Sequence, residues 1–172
     1  MKKLFCIALC ILFIFSFSAC GKQESTDGID NSVSDSKFGF LATDISGNIV
    51  RFSDFADAKV LMLNFWEPWC RPCLSEMPDL ESLYEKYEDN GLVILGVFTS
   101  QGMDDDIRAV LDEYGITYPI LRGEDERLLA LQTEYVPTTV FLRTDGTILT
   151  PEPIVGVRSF VEYEKMIKEY LQ

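Results

Sequence analysis

Histidine is absent from all 172 residues of the chain. This absence excludes catalysis with histidine as a general base, haem ligation by histidine and most catalytic zinc sites. Basic residues are also scarce, with 15 Lys and Arg against 28 Asp and Glu, and they form no cluster. Nucleic acid and anionic lipid are therefore poor partner candidates, and the available chemistry rests on cysteine and carboxylate side chains.

Cysteine is scarce and unevenly placed, with five in the chain. Cys6, Cys10 and Cys20 lie in the first twenty residues, and Cys70 and Cys73 form one Cys-x-x-Cys motif. This motif suits a redox-active dithiol, a structural disulfide or half of a zinc site. We expect Cys6 and Cys10 to be removed with a signal peptide and Cys20 to be acylated, so no other cysteine or histidine is left to complete tetrahedral zinc coordination. A disulfide that closes so short a loop adds little stability. We interpret the pair as a redox dithiol that needs no metal or cofactor.

Residues 1–19 are predicted to be a secretory signal peptide. Two lysines precede an uncharged apolar run from Leu4 to Phe17, shorter than the roughly 20 residues of a transmembrane helix. The following Ser18-Ala19-Cys20 resembles the lipobox of bacterial lipoproteins. We therefore expect lipidation of Cys20 and a cell-membrane location facing the extracytoplasmic side. Plain cleavage beside a spare cysteine is the alternative.

Residues 20–37 are predicted to hold the lipidated cysteine and a flexible linker. Only Ile29 and Val33 are large and apolar in the linker, which is too little to bury against a domain. Random-coil scaling gives such a segment an end-to-end distance of about 20–25 Å. Residues 38–172 have the length of a single domain with one core.

Strands and helices alternate in the pattern of this domain. Two short extended segments flank a turn at 46–48, and a buried strand at 60–65 leads into a helix that starts near Pro72. The pattern then predicts strands at 92–98 and 138–142, a short extended segment at 118–121, helices at 104–114, 124–131 and 160–171, and a hairpin turn at 145–146 with its partner strand at 147–149. This order indicates an α/β sandwich with a mixed sheet.

The Cys-x-x-Cys motif lies between a predicted strand and a predicted helix. Free backbone N–H groups and the helix dipole at such a start lower a thiol pKa from about 8.5 to roughly 3.5–7.5. Cys70 is therefore the predicted nucleophile. Cys73 lies one turn further on, where it can attack a mixed disulfide at Cys70, and it is the predicted resolving cysteine.

Two segments resemble the TlpA/ResA-like branch of extracytoplasmic thioredoxin-fold lipoproteins. They are Asn64-Phe65-Trp66-Glu67-Pro68-Trp69-Cys70-Arg71-Pro72-Cys73 and Val136-Pro137-Thr138-Thr139. The resemblance implies an α/β thioredoxin fold, with a mixed central sheet flanked by helices, an N-terminal β-hairpin extension and a central strand-helix insertion. It also implies thiol-disulfide oxidoreductase activity outside the cytoplasm.

The resemblance points to further site residues. Pro137 matches the family's cis-proline, beside which the backbone of Val136 can pair with an extended substrate; a proline that merely starts a strand is the alternative. Asn64 stands where ordinary thioredoxins keep a buried aspartate as proton acceptor. Glu76 matches the family's acidic residue and would replace that carboxylate in catalysis; an exposed glutamate favoured by the helix dipole is the alternative.

Residues around the cysteines complete the predicted site. We assign Trp69, next to the nucleophile, to substrate contact and Trp66 mostly to the core. Arg71 is expected to contact substrate and to tune the redox potential modestly, whereas Glu67 and Pro68 are expected to shape the loop.

These residues together predict a monomeric reductant of disulfides in exported proteins. The resemblance suggests a membrane thiol reductase as electron donor, and apocytochrome c or a surface methionine sulfoxide reductase as target. A disulfide oxidase or isomerase is the alternative within this class, and a redox-inert binding lipoprotein is the alternative outside it. Peroxidase action is disfavoured because the chain lacks a lone peroxidatic cysteine in a loop rich in proline and threonine.

Overall fold

The computed structural model describes residues 38–172. The predicted signal peptide, Cys20 and the linker lie outside these residues. In the described part of the chain, no helix combines the length and the apolar character needed to cross a membrane.

Strands and helices alternate along the described chain. In order they are β1 (Leu41–Thr43), β2 (Ile49–Arg51), β3 (Val60–Phe65), α1 (Arg71–Tyr87), β4 (Leu92–Phe98), α2 (Asp104–Tyr114), β5 (Ile120–Arg122), α3 (Glu126–Leu129), β6 (Thr138–Leu142), β7 (Ile154–Val155) and α4 (Phe160–Tyr170). The strands β1 and β2 form a separate antiparallel hairpin. The other five form a sheet in the order β5-β4-β3-β6-β7.

The five-stranded sheet is mixed, as predicted. Its central strand β3 pairs in parallel with β4 and antiparallel with β6. All six residues of β3 are buried, because each face of the sheet is covered by its own hydrophobic cluster. Helices α1, α2 and α4 cover one face, and the N-terminal hairpin region with α3 covers the other. The strand β5 and helix α3 lie between α2 and β6, the part of the chain where a strand-helix insertion is expected.

The helix predicted at 124–131 is shorter in the structure. The Asp125 side chain accepts hydrogen bonds from the N–H groups of Arg127 and Leu128, so the helix begins only after this cap. At its other end, the N–H of Leu131 bonds to the carbonyl of Leu128, which is the tighter spacing of a 3-10 turn. The regular α-helix therefore covers only residues 126–129.

The partner strand predicted at 147–149 was misplaced. The turn itself forms, with Gly146 at φ 81° and the N–H of Arg143 bonded to the carbonyl of Thr147. However, β6 then makes only an isolated bridge to Ile148 and pairs fully with β7 at 154–155. The intervening Pro151 and Pro153 have no backbone N–H to continue a ladder, which explains the interruption.

Candidate active site

Cys70 and Cys73 lie where β3 gives way to α1. Cys70 is the N-cap of the helix, with φ −85° and ψ 94°, and Cys73 lies in the first turn. The two form a disulfide with their Cα atoms 5.3 Å apart. The backbone N–H of Cys73 points at the Sγ of Cys70 over 3.2 Å. In the reduced protein this N–H and the helix dipole would stabilise a thiolate at Cys70, as the nucleophile requires.

The segment before β6 lies against the disulfide. The Val136–Pro137 peptide bond is cis, which confirms that prediction. The carbonyl oxygen of Val136 is 3.6 Å from the Sγ of Cys70. The carbonyl of Pro137 accepts from Gly156, whereas the N–H of Val136 donates no hydrogen bond within residues 38–172. The N–H of Val136, beside Cys70, therefore has no hydrogen-bond acceptor within the described residues.

Glu76 is buried, with 1% of its surface exposed, so the alternative of an exposed glutamate is wrong. Asn64 binds it directly, since its amide donates to Oε1 of Glu76 over 2.9 Å. The same amide donates over 3.1 Å to Oγ1 of Thr139, the residue opposite Asn64 in the β3–β6 pair. The asparagine that replaces the usual aspartate therefore fixes the carboxyl group of Glu76.

The second carboxylate oxygen of Glu76 faces the start of α4. It accepts from the N–H of Arg158 at 3.3 Å and lies 3.4 Å from the hydroxyl of Tyr163. Burial raises the pKa of Glu76, while the bonds from Asn64, Arg158 and Tyr163 and the charge of Arg158 oppose this rise. A carboxyl group with a raised pKa, three residues after Cys73 on one helix, is suited to exchange a proton with that cysteine.

Glu67 does more than shape the loop. Its carboxylate is buried and accepts from the N–H of Thr99 at 2.9 Å, from the Thr99 hydroxyl at 2.6 Å and from the N–H of Ser100 at 3.2 Å. Its backbone carbonyl accepts from the N–H of Cys70 at 3.0 Å. Glu67 thus joins the loop before the cysteines to the loop after β4. This contact could have been predicted from the topology. The parallel strands β3 and β4 end at the same edge of the sheet, so the loops that follow them lie side by side.

Exposed apolar side chains flank the disulfide. Trp69 is 63% exposed, and its indole N–H donates to the Ser100 hydroxyl at 3.2 Å. Tyr135 precedes Val136, Val157 follows the Gly156 that bonds to Pro137, and both are exposed. Sequence reasoning missed Tyr135 and Val157, whose position depends on how the loops meet.

Trp66 and Arg71, two other residues named from the sequence, differ in their exposure to solvent. Trp66 is buried in the core, as assigned, and packs on Gly96, where a Cβ atom would lie 3.0 Å from the indole nitrogen. Arg71 is exposed on the first turn of α1. In residues 38–172, no three potential metal ligands come together.

Comparisons with known proteins agree with this geometry. The model of the AhpC/TSA family matches residues 33–150. Thiol-disulfide oxidoreductase ResA of Bacillus thuringiensis (strain Al Hakam) is 28% identical over 131 residues, which cover 76% of this chain and 73% of the relative. ResA of Halalkalibacterium halodurans is 26% identical over 175 residues, covering 99% and 95%.

A solved structure provides a separate comparison. A thiol:disulfide interchange protein of the thioredoxin family from Chlorobium tepidum TLS superposes with a TM-score of 0.68 at 21% identity. The match covers 78% of this chain and 94% of that protein. This likeness confirms the predicted thioredoxin fold.

Proposed function

The chain belongs to the AhpC/TSA family and is a thiol-disulfide oxidoreductase, and we propose that it reduces disulfides of exported proteins at the cell membrane. The observation that carries this proposal is the buried Glu76 carboxyl next to the dithiol helix start. A redox protein becomes a strong oxidant when its reduced form is stabilised. A buried carboxylate near Cys73 disfavours a thiolate there, and so it favours a reductant.

Reduction proceeds by two exchanges. The Cys70 thiolate attacks one sulfur of the substrate disulfide, forms a mixed disulfide and displaces the other sulfur as a thiolate. Cys73 then gives its proton to Glu76 and attacks the Sγ of Cys70, which restores the internal disulfide and displaces the second substrate sulfur. Two electrons pass from the dithiol to the substrate, and a membrane thiol reductase returns the protein to the dithiol.

Substrate binding would use the open backbone and the apolar rim. An extended segment of the target pairs with Val136 beside Pro137, while Trp69 and Arg71 contact the residues that flank its cysteine. The free N–H of Val136 and the exposure of Trp69 support this mode. The substrate is then recognised largely through its backbone, which suits an enzyme that acts on unfolded or flexible chains.

The cellular setting follows from the sequence before the domain. The signal peptide and a lipid on Cys20 would hold the domain at the extracytoplasmic face, within reach of a membrane thiol reductase. Apocytochrome c and a surface methionine sulfoxide reductase are the proposed targets. Cell fractionation tests the anchor: the native protein should sediment with membranes, and Cys20→Ser should release it.

Insulin-disulfide reduction by the purified protein tests the reaction. The native protein should reduce insulin when a reductant is supplied, and Cys70→Ser should abolish this activity. Cys73→Ser should instead accumulate a mixed disulfide on Cys70, which identifies the target when the variant is expressed in cells. Unchanged activity in Cys70→Ser would refute the assignment of the nucleophile. A disulfide oxidase would differ in its redox potential, since its disulfide would be far more readily reduced.

A further inference from the structure

Four buried polar side chains form a closed ring of hydrogen bonds. They are Asn64 on β3, Glu76 on α1, Thr139 on β6 and Tyr163 on α4, and each is at most 1% exposed. The Asn64 amide donates to Glu76 and to Thr139. The Tyr163 hydroxyl lies 2.9 Å from Oγ1 of Thr139 and 3.4 Å from Oε2 of Glu76, which closes the ring.

The hydrogen-bond partners of Glu76 differ in whether they can donate, accept or do both. The side-chain NH2 of Asn64 and the backbone N–H of Arg158 face Glu76 and can only donate, so they suit an ionised carboxylate. A protonated carboxyl group must donate its own hydrogen. Of the groups that face Glu76 in the described residues, only the hydroxyl of Tyr163 can change from donor to acceptor without moving a heavy atom, because the Asn64 side chain would have to rotate to present its carbonyl oxygen.

We propose that Tyr163 is a positioning residue that serves both protonation states of Glu76. When Glu76 is ionised, Tyr163 donates to it and accepts from the Thr139 hydroxyl. When Glu76 is neutral, Glu76 donates to Tyr163, which donates to Thr139. Both hydroxyl hydrogens rotate and no heavy atom has to move, so α4 takes part in the proton step. This inference rests on the proposed role of Glu76 in proton exchange with Cys73.

Charged and titratable groups near this ring come from several of the elements packed against it. Arg158, just before α4, contributes a positive charge, and α1 contributes Cys73. Tyr118, before β5, is buried and has its pKa raised by burial and by the charges of Glu81 and Glu76. The strands β3 and β6 contribute only the uncharged Asn64 and Thr139 to the ring.

The variant Tyr163→Phe tests the proposal. Loss of the Tyr163 hydroxyl removes a charge-assisted hydrogen bond from the ionised Glu76 carboxylate and a weaker, neutral hydrogen bond from the protonated acid. The titration of Glu76 should therefore move to higher pH by about one unit, a tenfold change in its ionisation equilibrium. The readouts are the pH dependence of thiol alkylation in the full reduced protein and the infrared carboxyl stretch in redox difference spectra.

Two controls separate this effect from a general loss of packing. Tyr87→Phe removes a hydroxyl that bonds to the Glu164 carboxylate at 2.8 Å, about 16 Å along α1 from Glu76, and should leave the titration unchanged. Thr139→Val leaves the Tyr163 hydroxyl without an acceptor only when Glu76 is neutral, so it should shift the titration to lower pH, opposite to Tyr163→Phe, and Thr139→Ser should restore the native midpoint. The threonine variants keep the test decisive if Tyr163→Phe does not fold.

Glu76→Gln distinguishes failure of this inference from failure of the proposed function. If Glu76→Gln leaves the pH profile and the carboxyl band unchanged, the proton role of Glu76 is wrong and this inference falls with it. If Glu76→Gln removes them while Tyr163→Phe and Thr139→Val keep the native midpoint, only the role of Tyr163 is overturned. A shift that disappears when Tyr163→Phe is combined with Glu76→Gln supports the proposal.

Discussion

Replacing Glu67 by glutamine should loosen the connection between the two loops that carry the site. The carboxylate accepts hydrogen bonds from two groups of Thr99 on one oxygen and from the N–H of Ser100 on the other. Glutamine has one carbonyl oxygen and one NH2 group. If the oxygen keeps Thr99, the NH2 group meets the N–H of Ser100, donor against donor. Trp69, which donates to the Ser100 hydroxyl, loses its support as a result.

The size of the effect follows from the lost bond. A hydrogen bond to a charged group contributes about 1.5–3 kcal/mol, and an unpaired buried donor costs about 1–3 kcal/mol. Relief from burying a carboxylate offsets part of this loss. We therefore expect Glu67→Gln to lower the free energy of unfolding by about 2 kcal/mol and to raise the KM for insulin more than it lowers kcat.

Urea denaturation and steady-state insulin reduction measure these two effects. Glu85→Gln is the matched control, because Glu85 is exposed on the outer side of α1 and should change stability by less than about 0.5 kcal/mol. If Glu67→Gln is as stable as Glu85→Gln and has the native KM, the carboxylate does not join the loops as we argue.

Three further predictions concern packing, acid stability and substrate contact. Gly96→Ala should lower the free energy of unfolding by about 1–3 kcal/mol in urea denaturation, since the added Cβ would lie 2.6 Å from Cδ1 of Ile120. Bonds from Lys86 and two other residues lower the pKa of Glu164 to about 2, so its stabilisation is complete above about pH 4.5 and is lost as the pH falls towards 2. Glu164→Gln should flatten that part of the pH–stability curve. Trp69→Ala should raise the KM for insulin with little loss of stability, because the side chain is mostly exposed.

Local sequence patterns were sufficient to predict the strand and the helix that hold the two cysteines. The apolar run at 60–65 and the helix start at the first cysteine predicted the strand and helix that hold Cys70 and Cys73. The cis state of Pro137 followed from the family motif and is confirmed. The partner strand was misplaced at 147–149 because Pro151 and Pro153, which cannot continue a ladder, were given too little weight, and full pairing begins only at 154–155.

The environment of Glu76 shows why the rest was out of reach. Asn64 could be placed near it from the motif, but Arg158 and Tyr163 lie 82 and 87 residues later in the sequence. No pattern in the residues reveals which side of α4 reaches α1, since the contact depends on the packing of the whole sheet face. In the sequence, Tyr163 occupies an apolar position of a helix. Only the structure shows that its hydroxyl forms hydrogen bonds with Thr139 and Glu76.

The reduction potential of the Cys70–Cys73 couple tests the central claim most directly. It is measured by equilibrating the purified protein with glutathione or dithiothreitol buffers and alkylating the free thiols. A reductant of protein disulfides should have a potential close to that of thioredoxin, about −270 mV. A potential near the roughly −120 mV of the strong oxidant DsbA would contradict the account.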